Sequence, residues 1–302
     1  MTECCDASAP ALRRVFHAHA KINLYLDVLR RRPDGYHDIE TLFQSISLRD
    51  ELHVEPAEHL TLTCSNPTLG TGTGNLILRA ASWLQEETRT RFGARIHLLK
   101  NIPIAAGLAG GSSNAAAALV ALNQLWQLNL SPSRLLEGAA ILGSDVPFCL
   151  QGGTAAAVGR GEILHPLPPL PETWLILIHP PLHVSTPSVY NDPSLRHSPE
   201  VPIGGYTPTF RRALETAHSG SLHAMLFNRM QEVVFTQHPK LVALRDRLLH
   251  AGCNAALMSG SGPTIFGLCA SADHGKLVQE QLPGLRTTLA HTVGTGVHAV
   301  GA

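Results

Sequence analysis

The sequence predicts an α+β protein built from two units. Three observations carry that prediction. Helix-period segments interleave with a few strand-like runs, without the strict strand–helix alternation of a parallel sheet. The composition shifts to a Pro-rich stretch, HPLPPLPETW, a few residues after Val158. No GxxxxGK[ST] loop is present, and no GxGxxG opens a helix after a strand, which argues against a doubly wound fold. A chain of 302 residues suits one large domain or two modest ones. We divide it into a flexible tail at 1–14, an N-terminal domain at 15–158 and a C-terminal domain at 159–302.

The elements follow in order. The mix of small, polar and Pro residues in MTECCDASAPAL reads as a frayed tail. Val15 to Val28 alternates and is β-branched in places, giving one long strand or two short ones broken at Ala20. Pro33-Asp34-Gly35 is a turn signal that projects Tyr36 and His37 from a tight loop. A second β-like stretch covers Leu42 to Leu62, and Asn75 is placed to cap a helix over NLILRAASWLQEETRTRF. The strand ARIHLLKNIP leads through a Gly- and Ser-rich loop into a long Ala/Leu helix. Ser131 then caps a shorter helix with Pro132 at its first position, and Gly143 stops it. Beyond the Pro-rich stretch come the strand WLILIHP and helices at Tyr206–Ser219, His223–Thr236 and Pro239–Ala251. A strand, Gly loop and strand in NAALMSGSGPTIFGLCAS, a helix DHGKLVQEQLPGL and one terminal strand complete the chain.

Composition removes several function classes. Lys+Arg and Asp+Glu are equal at 23 each, so no bulk positive charge is available to hold a nucleic acid. With 44% apolar and 15% charged residues the chain is too apolar for disorder. The six cysteines show no CxxC spacing and the 17 histidines no HExxH, so neither a disulfide framework nor a zinc site is implied. Met1 to Arg14 lacks the apolar core of a signal peptide, and the longest apolar runs break before about 18 residues. The expectation is a cytoplasmic protein that meets no membrane.

Four segments carry chemistry. In Pro103–Ala118, glycines at 107, 110 and 111 let the backbone approach a ligand where a helix begins. Helix N–H groups there favour an anion such as phosphate. In Gly143-Ser144-Asp145-Val146-Pro147 an acid falls at the end of a helix, an unfavourable place for its charge that calls for another partner. Lys21, between Ala20 and Ile22, is either a snorkelling surface residue or a partner for a carboxylate and a phosphate. Ser259–Thr264 (SGSGPT) reads as a second Gly loop that closes over the ligand or supports the first. No GxSxG elbow is present, which disfavours a hydrolase.

Together AHAKINL, PIAAGLAGGSSNAAAAL, GSDVPF and MSGSGPT, in this order, resemble the motif set of the GHMP kinase superfamily. KINLYLDVLRRRPDGYHDIETLFQSI is most similar to the branch that acts on a cytidine diphosphate-linked methylerythritol. The resemblance implies a ribosomal-S5-like N-terminal domain that binds ATP, a ferredoxin-like C-terminal domain, and a substrate site between them. The implied reaction moves the γ-phosphate of ATP to the substrate's 2-hydroxyl. By the matched motifs, Asp145 would be the general base, and Lys21 would hold its carboxylate and stabilise charge on the γ-phosphate. Pro103, Ile104, Ala105, Ala106, Gly107, Leu108, Ala109, Gly110, Gly111, Ser112 and Ser113 would cradle the phosphates, with Asn75 near the adenine and Lys100 near the phosphates. Tyr36, His37 and Tyr190 would meet the cytosine, and Asn23 would contact the substrate. Mg²⁺ is expected with ATP, although no acidic residue stands out as its ligand. A monomer or weak homodimer is expected. The alternatives are another small-molecule kinase of the superfamily, of the homoserine or mevalonate type, or a nucleotide-binding regulator without catalysis.

Overall fold

The first strand, β1 (Arg14–Arg31), turns through Pro33-Asp34-Gly35 onto β2 (His37–Ala57). Gly35 takes φ 86°, a value that favours glycine at the turn. Of the two readings, one long strand holds, and the pairing slips register between His19 and Ala20, where the alternative placed a break. The computed structural model describes residues 13–202, 205–218 and 222–301. The tail expected at 1–14 lies outside them except for its last two residues, and Arg14 already belongs to β1.

The chain continues through β3 (Thr61–Cys64), α1 (Leu76–Thr88), β4 (Gly93–Leu99), α2 (Gly110–Leu125) and α3 (Pro132–Leu142). The Asn75 side chain caps α1 by accepting the Ile77 N–H at 2.9 Å, and Ser131 caps α3 ahead of Pro132. A short helix unsignalled in the sequence follows, α4 (Val146–Gln151), and then β5 (Thr154–Val158) and β6 (Ile163–Pro166).

The remaining elements are β7 (Trp174–Ile178), α5 (Thr186–Tyr190), α6 (Pro208–His218), β8 (Phe227–Asn228), α7 (Met230–Gln237), α8 (Lys240–His250), β9 (Ala256–Met258), β10 (Ile265–Cys269), α9 (Ala272–Glu280), β11 (Thr287–His291) and β12 (Val297–Ala299). The helix expected over His223–Thr236 is a single turn at Leu222–Ala224, then β8 and α7. The reason is tertiary: Phe227 and Asn228 pair with Tyr25 and Leu26 of β1, and Asn228 Nδ2 donates to the Met258 and Gly260 carbonyls at 2.7 and 2.8 Å. Two strands, not one, close the described chain.

An eight-stranded sheet runs β12-β1-β2-β4-β3, with β5 and β6 continuing from β2 and with β8 on β1. The β5–β6 pairing carries this sheet past residue 158 to Pro166, and β8 and β12 return to it from the C-terminal half. The second sheet is antiparallel, β11-β7-β10-β9, with α8 before β9 and α9 between β10 and β11. Counted along the chain, its strands lie in the order 4-1-3-2, the ferredoxin-like arrangement. β1 serves two cores. Phe16 and Ala18 pack with α1 and the alanines of α2, whereas Ala20, Ile22 and Leu24 pack with Leu175, Leu177 and Phe266 of the second sheet. The strand bearing Lys21 is thereby held from both domains.

Two buried histidines make this fold acid-sensitive. His179 bridges Thr264 Oγ1 at 3.3 Å and Thr288 Oγ1 at 3.0 Å, and His19 Nδ1 meets the Ile46 carbonyl at 2.9 Å. Burial pulls both imidazoles down to about 4. Because the unfolded chain binds these protons first, the stability they carry is complete above about pH 6.5. It is lost as pH falls toward 4, by about 3 kcal/mol for each histidine. Denaturant midpoints at pH 7.5 and 4.5 check this, with the drop expected to shrink in His179→Gln. An equal drop in both proteins counts against the assignment.

Candidate active site

The loop before α2 is bent by φ values of 50° at Ala105, 75° at Gly107 and 54° at Ala109, a concentration of left-handed backbone that surrounding contacts must hold. The second Gly loop supplies those contacts. Ser259 Oγ donates to the Gly107 carbonyl at 2.9 Å, and the Thr264 N–H reaches the Ala106 carbonyl at 3.4 Å. A Cβ on Gly107 would lie 2.1 Å from the Ser259 carbonyl oxygen, so only glycine fits. Of the two roles foreseen for SGSGPT, support of the first loop is thus built in, while Gly260 and Ser261 also line the cleft.

Helix α2 starts at Gly110 with no side chain capping it. Its first N–H groups, on Gly110, Gly111 and Ser112, have no acceptor within the helix and face a two-lobed cleft. The larger lobe, about 710 Å³, is bounded by Lys21, Asn23, Tyr36, His37, Asp145 and Tyr190. The smaller, about 540 Å³, is bounded by Asn75, Lys100, Pro103 and Ile104. Leu76, Ala105, Gly110 and Gly111 belong to both walls, so the lobes meet at the glycine loop. Ala106, Gly107, Ala109 and Ser112 face the larger lobe. Leu108 and Ser113 do not line either: Leu108 is in the core, and the Ser113 hydroxyl donates to the His19 carbonyl at 2.7 Å.

Lys21 does not snorkel. Its side chain is 6% exposed, and its Nζ donates to Asn23 Oδ1 at 2.8 Å, stands 3.5 Å from an Asp145 carboxylate oxygen and lies 5.0 Å from the Phe43 ring centroid. Asn23 is fixed in turn, donating to Thr41 Oγ1 at 2.8 Å, whose hydroxyl donates to the Tyr25 carbonyl at 2.6 Å. Asp145 is one-third exposed toward the cleft. It lies two residues past the Gly143 cap of α3, as expected, and is also the residue before α4, where its side chain makes no capping bond; Lys21 is the partner its position called for.

At the far end of the larger lobe the His37 and Tyr190 rings stack on each other, centroids 4.9 Å apart and planes at 19°. They leave no slot between them, and a base that uses either must pack beside the pair. Burial raises the Tyr190 phenol and lowers the His37 imidazole, so both are neutral near pH 7. Tyr36 is half exposed, with the Arg160 guanidinium 4.9 Å from its ring centroid. In the smaller lobe, the Lys100 ammonium is bonded to the carboxylate of Asp50.

Sequence reasoning missed Arg160 and Thr186 on the cleft wall. The GRG triplet was a signal for Arg160, since Gly159 and Gly161 take φ 71° and 100°. The Thr186 and Ser261 hydroxyls meet at 2.6 Å across 75 residues of sequence, a pairing with no local signature.

Known proteins resemble this chain in sequence and in fold. The family description "GHMP kinases N terminal domain" matches residues 75–153 and "GHMP kinases C terminal" residues 210–285. A 4-diphosphocytidyl-2-C-methyl-D-erythritol kinase of Pelotomaculum thermopropionicum is 45% identical over 265 residues, covering 86% of this chain and 91% of its own. One from Geobacillus kaustophilus is 41% identical over 278 residues, covering 91% and 93%. A solved 4-(cytidine 5'-diphospho)-2C-methyl-D-erythritol kinase superposes with a TM-score of 0.78 at 37% identity, over 94% of this chain and 100% of its own. A homoserine kinase from Cytophaga hutchinsonii superposes at 0.73 over 99% of each chain but is only 17% identical, a likeness of fold alone.

Proposed function

Since the chain belongs to the GHMP kinases and, within them, to the 4-diphosphocytidyl-2-C-methyl-D-erythritol kinases, we propose that it transfers the γ-phosphate of ATP to the 2-hydroxyl of that cytidylated polyol. The observation that carries the reading is the Lys21–Asp145 pair on the wall of the larger lobe, beside the glycine loop that both lobes share. A phosphoryl donor in the smaller lobe and an alcohol in the larger one would meet there.

The chemistry follows from the residues. Asp145 accepts the proton as the hydroxyl attacks, and Lys21, oriented by Asn23, keeps that carboxylate in place while its charge faces the transferring phosphoryl group. The N–H groups at the start of α2 hold phosphate oxygens. Asn75 and Ile104 belong to the adenine side of the smaller lobe, and Tyr36, His37 and Tyr190 to the cytosine side of the larger. Mg²⁺ would offset charge on the ATP phosphates, and the Ser112 hydroxyl, on the wall of the larger lobe, is the side-chain oxygen that would help to hold it. No described helix is long and apolar enough to cross a membrane, and Cys64, Cys149, Cys253 and Cys269 are free thiols. We take the enzyme to be cytoplasmic and to act as a monomer or weak homodimer without nucleic acid.

The test is ATP consumption with Mg²⁺ by the purified protein, offered the cytidylated methylerythritol beside mevalonate, homoserine and galactose. Turnover with the first alone is expected; turnover with another alcohol, or none at all, sinks the reading. Stacking on an aromatic ring contributes about 1–3 kcal/mol per base. Tyr36→Ala is therefore expected to raise KM for the cytidylated substrate roughly five- to a hundredfold and leave KM for ATP nearly unchanged. His37→Ala should move the same constant, and a matching rise for ATP would transfer these residues to the nucleotide lobe.

A further inference from the structure

Asp50 plays no part in the chemistry above, yet its carboxylate is fully buried and meets four donors. Oδ1 accepts the N–H groups of Asn101 at 2.7 Å and Ile102 at 2.8 Å, and Oδ2 accepts Asn114 Nδ2 at 2.7 Å and the Lys100 ammonium. Lys100, Asn101 and Ile102 lead into the loop that begins at Pro103, and Asn114 lies in the first turns of the helix that leaves it. All four donors therefore come from the two flanks of the phosphate-binding loop. We propose that Asp50 is the positioning residue of that loop, clasping its incoming and outgoing ends to the sheet through one carboxylate.

Two features separate this from ordinary core packing. A buried ion pair is an expensive way to fill space, since apolar residues of similar volume often serve stability as well or better. The clasp also lies behind a loop whose left-handed residues at 105, 107 and 109 persist only when their surroundings over-determine them. The lysine and the asparagine both reach the wall of the smaller lobe, and a Cβ on Gly110 would stand 2.8 Å from the Lys100 Nζ. A shift of the clasp thus reaches the α2 N-terminus directly. Asp50 also sets where the Lys100 charge rests, and the carboxylate keeps three neutral donors if the ammonium turns toward a nucleotide.

The inference rests on the smaller lobe being the ATP site, so its test reads ATP binding directly, by calorimetry, with no alcohol present. Asp50→Asn turns an NH₂ group toward donors and removes the charge. We expect it to weaken ATP binding at least tenfold, while KM for the alcohol stays within twofold. Asn114→Ala removes the outgoing tie only and leaves the ion pair; it should fold, with ATP binding weakened at least threefold and the alcohol KM again unmoved. ATP affinity within twofold of the parent in Asn114→Ala overturns the clasp, as does a parallel loss of both substrates in step with the melting temperature. If the parent binds ATP but phosphorylates none of the alcohols offered, the function proposed above fails while the two variants still decide the clasp.

Discussion

Asp145→Asn is expected to keep the protein folded and ATP bound while lowering kcat by at least about a hundredfold, the smaller end of what a positioned general base contributes. The side chain stays the same size and still faces Lys21, but the amide takes up no proton at neutral pH. Because Asp145 makes no capping bond, the substitution removes little that holds α4, which is packed through Val146, Phe148 and Cys149. Steady-state kinetics with both substrates, beside a melting curve, settle it. A kcat within a few-fold of the parent would mean that the hydroxyl loses its proton elsewhere.

Lys21→Met should cost as much or more. Methionine is an unbranched apolar side chain that suits the buried position beside Phe43, so the strand is preserved, but the charge proposed to face the phosphoryl group and to steady Asp145 is gone. Removing one preorganised stabiliser from an enclosed site lowers kcat by about 10²–10³. Since the two residues work as a unit, the double variant Lys21→Met with Asp145→Asn should lose far less than the product of the single losses. A fully multiplicative loss would argue that they act independently.

What could be read from the sequence was local. The caps at Asn75 and Ser131, the turn at Gly35 and the glycine loop before α2 each announce themselves within a few residues, and the structure has them there. What escaped depends on distant partners. Taken alone, Lys21 suits a snorkelling surface residue, and the carboxylate that balances its buried charge comes from an aspartate 124 positions away. Asp50 in LRDEL looks like any surface acid until Asn101, Ile102 and Asn114 arrive from more than fifty residues on. The short strands β8 and β12 exist because β1 pairs with them, and no two- or three-residue periodicity could reveal them. The joint role proposed for Lys21 and Asp145 came from the resemblance of ordered motifs. The His37–Tyr190 stack was beyond it, since motifs name residues and not their distances.

The pairing of β12 with β1 also constrains how the protein is made. His17 and His298 touch across 281 residues of sequence, and Tyr25 and Leu26 wait for Phe227 and Asn228. By the time the ribosome has released the glycine loop, Lys21 and Asp145, the strand carrying that lysine still has an open edge, and the second sheet that covers Ala20, Ile22 and Leu24 has yet to be synthesised. A nascent chain of this length holds Lys21, Asp145 and the glycine loop but exposes apolar surface and unpaired backbone, the features that recruit chaperones or neighbouring chains. Competence therefore comes late in translation and nearly all at once.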